Sequence, residues 1–315
     1  MCSQPKRTCV GRGRSSKRPR SRHNGEPPAP VRPTRVVSLT LLAMIAFAGN
    51  SLLCRAALRS LSIDAASFTA LRLVSGAVVL WLIVRFRSGN SLRAGSWPSA
   101  LALFVYAAAF SFAYLTLPAG TGALLLFAAV QATMILWGLR RGEPLHLRQA
   151  IGLAVAFAGL VLLLLPGLSA PPLAGSLLML SAGVAWGAYS LRGKGVDDPI
   201  GATAGNFLRA APMGLLLSAV WLSSAHFDRA GILCAVISGG ITSGVGYVIW
   251  YAALPALKAA SAASVQLSVP VLTAVAGILF LGEALTVRFV VAAVAVLGGI
   301  ALVVLEKRRV PAAVR

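Results

Sequence analysis

The chain has 315 residues, 57% of them hydrophobic and 12% charged, with a mean hydropathy of +0.81. A water-soluble domain carries roughly 25% charge, so this composition excludes an ordinary soluble globule and points to lipid as the solvent. The net charge of +21 would suit a nucleic-acid binder, so where that charge sits decides what it means.

Residues 1–35, MCSQPKRTCVGRGRSSKRPRSRHNGEPPAPVRPTR, hold ten of the 29 Lys and Arg with almost no hydrophobic content, a composition expected to stay disordered. A basic arm on RNA is one reading. A tail beside a membrane span more commonly rests on anionic headgroups, so lipid is the expected partner and nucleic acid is not. A misassigned start codon would generate the same tail. No secretory leader is expected, because the basic stretch runs into a full-length span rather than a short apolar core with a cleavage site. Cys2, Cys9, Cys54 and Cys234 lack metal-ligand spacing, so neither a metal centre nor a disulfide framework is indicated.

From there ten apolar stretches follow one another, each near the ~20 residues that span a bilayer. They run at about 36–58, 66–86, 97–117, 120–139, 147–165, 173–192, 200–223, 231–252, 259–281 and 286–305. In hydrocarbon every backbone amide has to be satisfied internally, so each stretch is predicted to be a helix. The prediction is an all-α integral membrane protein of ten transmembrane helices, with basic tails at 1–35 and 307–315.

Charge sets the orientation. With the amino terminus in the cytoplasm, that side collects 23 of the Lys and Arg, and the other side collects Arg55, Arg59, Arg229 and Arg288. The positive-inside rule therefore places both termini in the cytoplasm of a plasma (inner) membrane protein.

The stretch ILWGLRRGEPLH (135–146) closes on an acid much as VPVLTAVAGILFLGEALT (269–286) does. Placing Glu143 on Glu283 puts Gly142 on Gly282, Leu145 on Leu285, Arg148 on Arg288, Gly159 on Gly299 and Thr133 on Thr273. Upstream, AFAGNS (46–51) matches AWGAYS (185–190), and Leu71–Arg72 matches Leu208–Arg209. The chain thus reads as a duplicated five-span unit, 36–168 and 169–306. An odd number of spans sends the second copy through the membrane in the opposite sense, so the repeats are inverted. Glu143 and Glu283 then lie at opposite surfaces, each in a short link opening the next helix, where a carboxylate meets first-turn amides and the positive helix end. Fixing a tight corner is one role for them; gating or proton coupling is the other.

Two charges fall inside spans. Arg72 and Arg209 occupy matching positions about two turns from a surface. Phe68, Arg72, Ser75 and Val79 share one helix side, as do Gly201, Gly205, Arg209 and Pro212. Intramembrane cations usually face a cavity or a partner, so one or both are candidates to bind a substrate carboxylate; snorkelling to headgroups is the competing reading. Gln131 and Gln266 are polar amides deep in lipid, and Asn50, Trp186, Tyr189, Asn206, Tyr247, Trp250 and Tyr251 are further candidates for the same cavity. Gln266, Pro270, Thr273 and Gly277 form one stripe in the ninth span, and Gly240, Ser243, Gly244, Tyr247 and Tyr251 another in the eighth. Small residues at such spacing also serve close helix packing. All eight acids fall in tails, loops or helix ends, and there is no GxxxxGK[ST] loop to hold ATP.

The carboxyl half, SAASVQLSVPVLTAVAGILFLGEALTVRFVVAAVAVLGGIALVV, resembles the EamA-type members of the drug/metabolite transporter superfamily. The marks are the spacing from Pro270 to Gly282–Glu283 and the glycine-containing last span. The first half is similar through GALLLFAAVQATMILWGLRRGEPLHLRQAIGLAVAFAGLVLLL, but has Val130 where a proline is expected. The resemblance, over about 36–306, implies ten helices in two inverted halves and alternating access, with a substrate cavity between helices 1–4 and 6–9 and helices 5 and 10 peripheral. The expected function is secondary transport, with export of a small amino-acid-like or drug-like metabolite. Lipid flipping is an alternative, and a membrane-embedded enzyme a weaker one, since Asp197–Asp198 is the lone adjacent acid pair. Homodimerisation through the fifth and tenth spans is left open.

Overall fold

A computed structural model describes residues 33–87, 94–142, 144, 146–167, 170–194, 196–257 and 259–305. Of the predicted basic tail at 1–35, residues 1–32 lie outside the described residues, as do the whole of the tail at 307–315 and Glu143. The described residues wind through ten helices: α1 (Pro33–Arg59), α2 (Ala65–Phe86), α3 (Trp97–Tyr114), α4 (Ala119–Arg140), α5 (Leu147–Leu164), α6 (Leu173–Gly193), α7 (Pro199–Val220), α8 (Arg229–Ala256), α9 (Ala259–Gln266 continuing as Ser268–Leu281) and α10 (Val287–Val304). Among the described residues, nine are long and apolar enough to cross a membrane. α7 is as long as α2 and α4, at 22 residues, but carries Asn206, Arg209 and Pro212. With an even number of crossings, the start of α1 and the end of α10 lie on one face, called here the termini face.

Helix ends follow from local chemistry. Asp64 accepts the amides of Ala66 and Ser67 at the start of α2, Asp198 that of Gly201 in α7, and Asp228 that of Gly231 in α8. Such side chains satisfy first-turn N–H groups that have no partner within the helix. Three of the few acids are therefore caps. Gly282 closes α9 in the left-handed conformation at φ +61°, and its repeat-mate Gly142 follows α4 at φ +82°, where a side chain would be strained.

The inverted symmetry is visible in how helices pair. α2 packs along α7, α5 along α10, and α4 against α9, so three helices meet their own counterparts. At the α5–α10 seam a Cβ on Gly152 would collide with the Gly299 carbonyl, while one on Gly159 would crowd the Ala292 carbonyl. The alignment that places Gly159 on Gly299 also places Gly152 on Ala292, so these two contacts are the same contact seen from each half. On α5 only Gly152, Gly159 and Leu163 are buried, and the remaining faces of α5 and α10 present Leu, Ile, Val and Phe outward. Both helices thus lie at the periphery.

Two helices depart from regularity. α8 carries an eight-residue π-helical segment, Ser238–Val245, where a Cβ on Gly239 would clash with the Arg72 carbonyl and the Ser75 hydroxyl. The absent side chain lets α8 lie directly on α2. α9 is interrupted at Leu267, three residues before Pro270. Proline has no N–H for the carbonyl four residues back, and its ring crowds that carbonyl. α4 is unbroken where Val130 takes the corresponding place. Substituting Gly152→Leu is expected to destabilise the protein by about 1–3 kcal/mol through overpacking of the seam, read as a lower unfolding temperature in detergent, whereas Gly298→Leu, at a glycine with no neighbour within 4 Å of an added Cβ, leaves it unchanged.

Candidate functional site

At the face opposite the termini, four helix ends are tied together. Arg55 near the end of α1 donates through Nε to Glu283 Oε1 at 3.1 Å, and through Nη1 to the carbonyls of Tyr114 (2.9 Å) and Leu115 (3.2 Å) after α3. The other carboxylate oxygen accepts the amide of Ala119, the first residue of α4, at 2.8 Å. Glu283 therefore caps α4 rather than the helix that follows it; α10 is capped instead by Thr286, which accepts the Phe289 amide. Both side chains of the pair are about nine-tenths buried, at 12% and 10% exposure, so the pairing is poorly screened by solvent. Arg59 adds a bond to the Leu281 carbonyl. Nearby, the α1–α2 and α7–α8 links are stitched by a short antiparallel bridge, with Asp64 N–H on the His226 carbonyl and Asp228 N–H on that of Ser62. Glu283 also borders a lateral cavity of about 240 Å³ between α4, α9 and α10.

In the middle of the bundle, Arg72 of α2 is 2% exposed. Its guanidinium lies over the rings of Tyr106 and Phe110 from α3, with Cζ 5.0 and 4.9 Å from their centroids. Nη2 donates to the Tyr106 hydroxyl at 3.0 Å. Nη1 is buried and has no hydrogen-bond partner among the described residues. Among the described residues the ion pair is Arg55–Glu283, so no described carboxylate neutralises Arg72. Cation–π contacts offset part of the desolvation of a guanidinium, yet a buried charge without a counter-ion remains costly by several kcal/mol.

The Tyr106 hydroxyl also accepts from Asn50 Nδ2 at 3.4 Å, and Asn50 Oδ1 accepts from Ser238 (2.7 Å) and Thr242 (3.3 Å) on the π segment of α8. This chain of polar groups borders a cavity of about 30 Å³, walled by Phe47, Phe110, Phe127, Trp186 and Tyr247, with Ser243 and Gln266. Ser243 Oγ is likewise buried and without a partner among the described residues. The volume suits a water or two, well below the roughly 300 Å³ of small-molecule pockets. Toward the termini face lies a second cavity of about 210 Å³, bordered by Ser96, Ser99, Tyr189, Arg192, Asn206 and Tyr251. Trp186, stacked on Tyr189 at 5.3 Å and tilted against Tyr247 at 5.2 Å, stands between the two.

The predicted residues thus separate. Asn50, Trp186, Tyr247 and Gln266 line the central cavity, with Arg72 behind its Tyr106 and Phe110 wall. Tyr189, Asn206 and Tyr251 line the second cavity. Trp250 is buried edge-on to Phe47, while Gln131 and Pro270 are buried in α4 and α9 and border neither cavity. Arg209 is only half-buried; its Nη1 holds the carbonyls of Gly205 (2.8 Å) and Ala94 (3.1 Å), anchoring the segment that leads into α3. Sequence reasoning missed Tyr106 and Phe110, which sit in the aromatic-rich run FVYAAAFSFAY, and the role of Arg55, which had counted only as a charge for orientation.

The model of the EamA-like transporter family matches residues 34–165 and again 173–305. The chain belongs to this family. It is a multi-pass membrane transporter. The transporter is 57% identical over 270 residues to an uncharacterized protein of Pseudomonas aeruginosa, an alignment covering 85% of this chain and 94% of the other. It is 26% identical over 259 residues to an uncharacterized transporter of Archaeoglobus fulgidus, covering 78% and 89%. It is 28% identical over 199 residues to a Salmonella typhimurium protein named "Probable amino-acid metabolite efflux pump", covering 58% and 67%. A crystal structure 20% identical in sequence shares the fold with a TM-score of 0.62, covering 88% of this chain and 99% of that one.

The tie at Glu283 makes a direct prediction for the transporter. Cys54, fully buried beside Arg55, reports on opening of that end. With Cys2, Cys9 and Cys234 replaced by serine, Glu283→Ala is expected to raise the rate at which a water-soluble thiol reagent modifies Cys54 by about tenfold or more, because the broken pair leaves Arg55 uncompensated.

Proposed function

We propose that the protein is a secondary transporter that exports a small carboxylate-bearing metabolite, an amino acid or a compound resembling one, across the plasma membrane by alternating access. Both termini lie in the cytoplasm in this reading, supported by the excess of Lys and Arg on the termini face. The observation that carries the proposal is the unpartnered, buried Nη1 of Arg72 beside the aromatic central cavity. A guanidinium there is a charge waiting for a counter-charge, and a substrate carboxylate supplies it with hydrogen bonds as well as Coulomb attraction. The Salmonella relative's printed name supports the same substrate class.

In the proposed cycle, the outer end is held shut by Arg55, Glu283 and the Ala119 amide, and the cytoplasmic cavity bordered by Tyr189, Asn206 and Tyr251 is where the substrate arrives. Trp186 and Tyr247 separate it from Arg72, and these side chains together with α8 and α9 have to part before the contracted central cavity accepts a metabolite. Release follows when the Arg55–Glu283 tie opens. Arg209 is then a structural anchor, since its guanidinium already serves protein carbonyls.

A deletion strain is expected to accumulate a carboxylate-bearing metabolite that the wild-type gene clears. Arg72→Gln is expected to cut export of that compound about 100-fold, in line with loss of a desolvated charged contact, with normal membrane insertion. Arg209→Gln should retain export within several-fold. Full export by Arg72→Gln contradicts the proposal.

A further inference from the structure

Resting on that reading, the geometry points to a separate subsite for the substrate's ammonium group: we infer that Gln266, through its main-chain carbonyl and its side-chain amide oxygen, holds the ammonium of an α-amino acid whose carboxylate meets Arg72. The polar residues bordering the central cavity are Asn50, Ser51, Tyr106, Thr242, Ser243 and Gln266. No carboxylate is among its lining residues, so an ammonium group has no formal counter-charge there. Neutral acceptors have to serve, and most are taken. Asn50 Oδ1 already accepts from Ser238 and Thr242. The Tyr106 hydroxyl oxygen already accepts from Asn50 and Arg72. Thr242 donates its own proton to protein oxygens, and Ser243 Oγ, without a partner among the described residues, offers one hydroxyl oxygen beside Gln266.

Gln266 differs in two ways. It lines the cavity, and it is the last residue of the first piece of α9, four positions before Pro270. The amide that would close a helical bond onto the Gln266 carbonyl is the one that proline lacks. The helix breaks at Leu267, where the Leu267 amide bonds back to the Ser264 carbonyl and the Ser268 hydroxyl takes that of Val265. Main-chain carbonyls at such interruptions carry the negative end of a helix dipole and, in low dielectric, accept strongly from a cation. The faces of Trp186, Tyr247 and Phe47 add quadrupole attraction for the same charge. The first repeat lacks the device: with Val130 in place of the proline, α4 runs unbroken. The two charged ends of a zwitterion thus find different helices, with α2 reading the carboxylate and α9 the ammonium. The aromatic walls favour an apolar side chain on the carbon that bears both charges.

The test uses L-phenylalanine, 3-phenylpropionate, which lacks the amine, and labelled flux into proteoliposomes holding the full-length protein. Wild type is expected to move L-phenylalanine at least about tenfold better than 3-phenylpropionate, the worth of one or two charge-assisted hydrogen bonds. Pro270→Ala restores a donor for the Gln266 carbonyl, and with Gln266→Leu it is expected to bring that ratio to about one while 3-phenylpropionate flux persists. Because each variant is compared with itself, a general loss of fold or activity does not mimic the result. A wild-type ratio near one overturns the ammonium subsite and leaves the carboxylate reading standing, as does a ratio that survives both substitutions. Flux of neither compound through wild type overturns both.

Discussion

One uncompensated guanidinium organises the centre of this protein. Arg72 is fully enclosed in a medium where charge is expensive, and everything around it reads as partial relief of that cost. Two aromatic rings from α3 face it and the Tyr106 hydroxyl takes one of its nitrogens. Through Tyr106 the same charge polarises Asn50 on α1 and the hydroxyls of the π segment in α8. Four helices therefore meet in one polar network around Arg72, and no described carboxylate pairs with it. A structural core has no reason to retain such an arrangement when a leucine would pack there at no electrostatic cost. A site that takes up and releases an anion, as proposed, has such a reason.

The second organising feature is the inverted repeat and the ways the two halves have diverged. The α5–α10 seam and the left-handed corners at Gly142 and Gly282 keep the symmetry. The chemistry breaks it. Arg72 is enclosed and unpaired, whereas its counterpart Arg209 is half-exposed and bonded to Ala94 and Gly205. Pro270 interrupts α9, whereas Val130 leaves α4 whole. In the proposed cycle, symmetry would supply two conformations for the halves to exchange between, and asymmetry a site whose groups are not duplicated.

Much of the fold was legible because hydropathy and helix-stop chemistry are local. The ten stretches and the glycine corners declare themselves within a turn or two of their own residues. The site was less so, because its contacts join distant segments. Arg55 and Glu283 are 228 residues apart, and nothing near either one names the other. Glu283 was expected to serve the helix it precedes, yet Thr286 takes that position and frees the carboxylate for α4. Tyr106 hid in an apolar run where a tyrosine passes for an interfacial anchor. Arg72 and Arg209 looked equivalent because alignment compares positions, not surroundings. The glycines of GGITSG were legible as close packing, but not the π-helical turn they permit against the Arg72 carbonyl.

The account is tested most directly by determining the structure with a transported amino acid bound. It predicts a carboxylate oxygen within about 3 Å of Arg72 Nη1, with Trp186 and Tyr247 displaced from the path and the central cavity enlarged around the ligand. A bound ligand whose carboxylate lies elsewhere, with Nη1 instead satisfied by a protein group, would contradict it.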